Sequence, residues 1–204
     1  SFVGEPDSNN KGMGMYVYSF NQGRFRFVYF EREDEEEKKA RVKAWEKELD
    51  DRHAALATTY ASFRKRLAED YPQVQCFNLH ETRYGTTELE VICIKDDLIV
   101  SIHISYLSTP DEAKERINLD LDNSGDPKWR NVAGLGDQGI EADQCSRAWL
   151  RFRKGVFYVW MNANLNEKRK ENPECKGERN AVSERLSEFA RQIATVLVDQ
   201  LNAV

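Results

Sequence analysis

No apolar run in this chain approaches the length of a bilayer span, because Arg, Lys or Asp interrupts every candidate. Nor is there a basic excess. Thirty Lys and Arg stand against 35 Asp and Glu, and the resulting net charge of -5 argues against nucleic acid as a partner. The four cysteines include no Cys-x-x-Cys pair, the usual spacing of a zinc site. Gly-x-Ser-x-Gly, His-Glu-x-x-His and P-loop motifs are missing, and no cysteine has a base in suitable context. His53 falls on a helical pattern, and His80 and His103 on strand patterns. No spacing gathers them with a nucleophile or carboxylate, so they read as structural. A hydrolase built on a carboxylate pair assembled in three dimensions is the remaining route to catalysis, and no spacing points to one. The sequence favours a binding protein over an enzyme.

What is present suits a folded domain. At 204 residues and 40% hydrophobic content the chain carries a substantial single core. Residues 1–14, rich in Gly, Asn, Ser and Asp, read as a flexible tether, and residues 15–204 as one α+β domain. The chain starts at Ser1 without an initiator Met, so the expectation is a processed or trimmed product, with room for a signal peptide or a lipid anchor ahead of the tether. An even number of cysteines fits two disulfides and an extracytoplasmic location, whether periplasmic, cell-envelope or secreted. The alternatives are four reduced thiols in a cytosolic protein, or a zinc site using Cys76, His80 and Cys93.

Register arithmetic selects one cysteine pair. Val74–His80, Thr87–Lys95 and Leu98–Tyr106 read as consecutive strands separated by polar turns, Arg83-Tyr84-Gly85-Thr86 and Lys95-Asp96-Asp97. If the first turn is symmetric about Tyr84 and Gly85, Cys76 and Cys93 stand opposite each other on one face at contact distance. Cys145 and Cys175 are then left for a second bridge.

The remaining elements follow from periodicity and punctuation. Tyr16–Phe20 and Arg24–Phe30 form a hairpin around Asn21-Gln22-Gly23. An acidic cluster at residues 31–37 complements the positive end of a long helix reaching Asp70, where Pro72 stops it. Val42, Trp45, Leu49, Leu56, Tyr60, Phe63 and Leu67 form its apolar stripe. Thr109, Pro110 and Glu112 make a capping box for a short helix ending near Leu119. A last helix over 181–202 aligns Val182, Leu186, Phe189, Ile193, Val196, Leu197 and Leu201. Strands and helices segregate enough for an α+β fold, with a mainly antiparallel sheet of about seven strands and the long and C-terminal helices packed on it.

Three stretches carry candidate chemistry. Asp120, Asp122, Ser124 and Asp126 place oxygens as the opening of an EF-hand loop does, with Gly125 at the sixth position. The twelfth position is Asn131 rather than Glu, so the calcium expected here would bind weakly. Gly134-Leu-Gly136-Asp-Gln-Gly139 matches a dinucleotide fingerprint as text, but a strand-like segment follows where a helix is needed to receive the pyrophosphate. The hairpin Cys145–Phe152 and Val156–Leu165, turning about Arg153-Lys154-Gly155, is the third. One of its faces is apolar. The other presents Arg147, Trp149, Arg151, Arg153, Tyr158 and Trp160, an arrangement that stacks bases, binds anionic ligands or forms a protein interface unless a helix covers it. Trp149, Arg151, Arg153, Tyr158 and Trp160 are the candidate interaction residues.

Residues 134–137 with 151–155, followed by an aromatic strand and an amphipathic helix, resemble the end of small PsbP/Mog1-type proteins. The resemblance covers about a third of the chain, and the long charged helix and four cysteines depart from it. It implies an antiparallel sheet with helices against it, in a secreted or lipid-anchored bacterial protein, and no inherited catalytic residues. The function expected is a non-catalytic extracytoplasmic binding protein with a protein partner, such as an inhibitor or immunity-type protein for a secreted enzyme. The alternatives are a small-ligand or lipid carrier of the cell envelope, a calcium-binding module, and a hydrolase with an unrecognised carboxylate site.

Overall fold

A computed structural model describes residues 13–17, 27–31, 35–82, 87–122, 128–165 and 181–201. Contacts group the chain into two compact units, Ser1–Asp50 and Asp51–Val204, with the division inside the longest helix. In the first unit β1 (Met13–Val17) pairs antiparallel with β2 (Phe27–Glu31) in a two-stranded sheet. Met13 lies opposite Glu31 and Val17 opposite Phe27, a register centred on Gln22, the middle of the expected turn. That turn, and residues 1–12 of the expected tether, lie outside the described residues; Met13 and Gly14, within the segment expected to be a tether, are paired in β1.

Helix α1 (Glu35–Asp70) ends two residues before Pro72, whose fixed φ and missing N–H forbid continuation. Its apolar stripe divides along its length. Leu56, Phe63 and Leu67 are buried in the main core with Tyr60 against them, whereas Val42 and Trp45 are 44% and 53% exposed.

The second unit holds β3 (Gln75–Thr82), β4 (Thr87–Lys95), β5 (Leu98–Tyr106), α2 (Pro110–Asp122), β6 (Arg130–Asn131), β7 (Gln138–Gln144), β8 (Arg147–Lys154), β9 (Phe157–Leu165) and α3 (Ala181–Gln200). The strands form a seven-stranded antiparallel sheet in the order β3-β4-β5-β9-β8-β7-β6. The fold is α+β, and α3 packs against the sheet. Seven strands were expected, but the membership differs: the first hairpin pairs separately, and β6 and β7 take the two places.

Cys76 pairs with Cys93 across β3 and β4, with Cα atoms 4.1 Å apart, and the two are disulfide-bonded. Their sulfurs therefore cannot serve a zinc ion. The pair is the one expected, but the register nearest the turn is not the one that symmetry about Tyr84 and Gly85 predicts. From His80 onward the pairing is shifted by one residue, and a bulge between Asn78 and His80 restores the register by the time the cysteines are reached. The turn residues 83–86 lie outside the described residues. Cys145, whose backbone is left-handed (φ 56°), sits in the turn before β8 and is disulfide-bonded as well; Cys175 lies outside the described residues.

Period-two alternation decides which side of the sheet is dry. Leu89, Val91 and Cys93 on β4, Val100, Ile102 and Ile104 on β5, and Val159, Met161 and Ala163 on β9 are buried on one face. Leu186, Phe189, Ile193 and Leu197 of α3 join them in the main core. Among the described residues, the opposite face is covered where α2 crosses β8 and β9, with Trp129 packed beside it. There Ala113 and Ile117 meet Ile140 and Tyr158 in a smaller cluster. The cap of α2 is as expected in kind: the Glu112 amide donates to Thr109 Oγ1, at 3.2 Å. The Glu112 carboxylate, however, accepts from the Ser108 amide, one residue earlier than a standard capping box.

Candidate interaction face

The half-covered sheet face is built by cross-strand register. Reading across β4, β5, β9, β8 and β7, one row is Glu90, His103, Trp160, Arg151 and Ile140. The next row is Ile92, Ser101, Asn162, Trp149 and Ala142, with Phe77 of β3 at its end. A third is Glu88, Ser105, Tyr158, Arg153 and Gln138. Side chains opposite each other on one face of an antiparallel sheet touch, so each row is a physical ladder.

The middle row is the most ordered. His103 Nε2 lies 3.3 Å from Glu90 Oε1. The imidazole stacks on the Trp160 indole, with centroids 3.7 Å apart and planes within 4°. The Arg151 guanidinium lies 5.3 Å from the Trp160 ring centre and the same distance from that of Trp129. Arg151 Nε also approaches Asp120 Oδ2 at 3.3 Å, close enough for an ion pair but without hydrogen-bond alignment. Arg151 Nη1 and Asn162 Oδ1 are buried without a hydrogen-bond partner, an unmet donor and acceptor on the same face. Burial lowers the His103 pKa from its ordinary 6.5, against the opposing pull of Glu90 and Glu88, with Arg151 adding to the lowering.

All five expected interaction residues thus share one side of the sheet, but not one environment. Tyr158 is 7% exposed beneath α2, and its hydroxyl donates to Asp120 Oδ2. Burial first, then that bond, raises its pKa. Tyr158 is therefore core rather than contact surface. Arg151 and Arg153 keep 17% and 18% of their side chains exposed, held at the rim of the covered part. Trp149 and Trp160 are half-buried. Sequence reasoning set His103 aside as structural and did not bring in Glu90 or Trp129. The alternation of β4 and β5 placed the first two on strands, but only strand order brings them beside Trp160.

Asp120, expected as a calcium ligand, is spent on Tyr158 and Arg151. Asp120 and Asp122 lie inside α2, and Ser124 and Asp126 are outside the described residues. Among the described residues no three His, Cys, Asp or Glu side chains are grouped to hold a metal.

The glycine-rich stretch serves the hairpin. Gly134 and Gly136 take left-handed backbone, φ 76° and 63°, and the strand β7 follows, as the strand-like segment led one to expect. The Asp137 amide donates to the Arg153 carbonyl at 2.9 Å, and the Asp137 carboxylate accepts from the Gly155 amide at 2.8 Å. Lys154 Nζ lies 3.3 Å from the same carboxylate. The two segments that carried the family resemblance are thus clasped together, and their role here is to fix the β8–β9 turn. Beyond the face, a cavity of about 310 Å³ lies beside the start of α2, walled by Tyr106 and Leu119. Its charges balance, Arg52 and Arg116 against Glu112 and Glu115. Arg52 donates to Ser108 Oγ, and Glu112 accepts from the Ser108 amide.

No family model, curated protein or solved structure matches this chain.

Proposed function

We propose that this protein is a non-catalytic binding module of an oxidising, extracytoplasmic compartment that engages a protein partner through the sheet face centred on Trp149 and Trp160. One observation carries the reading: an ordered ladder of aromatic and charged side chains occupies a sheet face that, among the described residues, α2 covers over β8 and β9 and leaves open over β4 and β5. Aromatic and arginine side chains held rigidly at a partly dry surface are the composition of interface anchors, because little entropy remains to be lost on docking. The disulfide between Cys76 and Cys93 supports the compartment, since such bonds persist where thiols are not kept reduced. Whether the protein is periplasmic, envelope-attached or secreted, and whether it belongs with the PsbP/Mog1-type proteins, are parts of the same proposal. An inhibitor or immunity-type role for a secreted enzyme is its sharpest form.

Stacking of a nucleobase or sugar on Trp160 is the weaker alternative, because both sides of that indole are already occupied by His103 and Arg151. The test uses residues outside the row of Glu90, His103, Trp160 and Arg151. Trp149→Ala and Arg147→Glu should each weaken a stoichiometric partner recovered from the native source by about tenfold or more while leaving the melting temperature unchanged. Retention of full affinity in the double variant would move the binding surface elsewhere on the molecule.

A further inference from the structure

Strand order makes the Trp160 indole a shared platform. β9 lies between β5 and β8, so His103 and Arg151 reach Trp160 from opposite sides. The imidazole stacks flat against it, and the guanidinium stands 5.3 Å from its centre. With His103 neutral, the ladder holds one cation on this indole. A cation is drawn to the negative face of an aromatic ring, and two cations on one ring share that attraction while repelling each other.

The charged groups facing this pair come from three other elements. β4 supplies Glu90, 3.3 Å from the imidazole, and Glu88, which bonds to Ser105 Oγ at 3.2 Å. β8 supplies Arg151 itself. α2 supplies Asp120, 3.3 Å from Arg151 Nε and not aligned for a hydrogen bond. Asp120, whose Oδ2 also accepts the Tyr158 hydroxyl, is thus an alternative seat for the guanidinium, already within reach. The His103 side chain is 21% exposed, so protons reach it from solvent without opening the core.

We propose that His103 is a proton-operated switch for this face: on acidification it becomes charged, places cations on both sides of Trp160, and loosens Arg151 from the indole toward Asp120. The device converts a neutral contact between His103 and Glu90 into an ion pair and changes how Trp160 and Arg151 are presented at the surface. Burial sets its working range below the ordinary histidine value, in the acidic region where histidine switches operate. The switch stands on the packing of the ladder and needs no partner, so a failure of the binding proposal leaves it intact.

Two measurements on the whole chain test it. Proton resonances of the His103 imidazole and of the Arg151 Nε–H are followed from about pH 8 to pH 4, together with tryptophan emission. The expected result is a His103 midpoint below 6.5. The Arg151 Nε–H should shift with that same midpoint, and emission should fall as the stacked imidazolium quenches Trp160. The emission change should vanish in His103→Gln, and Glu90→Gln should move the midpoint further down. A midpoint at or above 6.5, or an Arg151 signal that ignores the His103 transition, would overturn the switch. Should His103→Gln fail to fold by circular dichroism, the wild-type resonances decide the matter alone.

Discussion

Gly136 shows how much one residue can be asked to do. Its backbone is left-handed, and an added Cβ would run into the Arg153 carbonyl oxygen, which is backbone and cannot swing aside. Gly155 is left-handed too, yet nothing lies within 4 Å of the corresponding position. The two positions separate conformational strain from collision. Gly155→Ala should cost about 1 kcal/mol, the price of the left-handed conformation, and Gly136→Ala roughly 3 kcal/mol, because the clasp between the two turns must also open. Urea denaturation of both variants checks this, and equal losses would mean the close approach is easily relieved. At this scale the sequence was legible in part. The Gly-Leu-Gly-Asp turn stood out as a turn, and its following strand was visible. That Asp137 would bind the Gly155 amide was not, since nothing local relates residues 18 positions apart.

Among the elements, β3 is an edge strand tied to the sheet on one side only, interrupted by a bulge and anchored by the bond from Cys76 to Cys93. An edge strand with a broken ladder has the least to hold it in place. The cysteines are 17 residues apart, and a loop of that size stabilises by about 3 kcal/mol when closed, largely through the unfolded state. Cys76→Ala with Cys93→Ala should therefore lower global stability by about that amount and, beyond it, raise hydrogen exchange in β3 more than in β5. Uniform exchange across both strands would show that backbone pairing alone secures the edge. The helices were the most readable elements. Apolar spacing, Pro72 and the Thr109 cap placed α1, α2 and α3 closely, with α2 running three residues beyond the expected Leu119. The strand β6, two residues long, is too short to announce itself by alternation.

Across the whole sheet unit, polar groups placed by distant elements set the response to acid. Glu141 of β7 is 4% exposed and receives hydrogen bonds from Arg130 and from Arg191 of α3. Burial alone would raise its pKa, but the bonds from Arg191 and Arg130 outweigh that and hold it below 4.5. A carboxylate with a depressed folded pKa contributes stability that is complete above its unfolded value and is lost as pH falls through the folded one. His103 acts higher on the scale. Its folded pKa lies below 6.5, so the unfolded chain takes up the proton first, and stability declines as pH drops from 6.5 toward the folded value. The stability profile should thus fall in two stages on the acid side. His103→Gln should flatten the upper stage. Glu141→Gln should flatten the lower one and cost about 2 kcal/mol at neutral pH, a modest loss for a buried pair because Arg130 and Arg191 remain partly exposed. A single acid transition unaffected by either substitution would show that neither group governs it.

The α+β class, the three helices and the hairpin faces were legible in the sequence because each rests on periodicity or local punctuation; Cys76 does pair with Cys93 as counted, but through a bulge at residues 78–80 that the count did not contain. Nothing local in the sequence marks Tyr158 as core, Asp120 as the partner of Tyr158 and Arg151, or His103 as sharing Trp160 with Arg151. Those outcomes depend on β9 inserting between β5 and β8 and on α2 crossing over them. Strand order is set by the sum of many nonlocal contacts, and no short stretch of sequence records it.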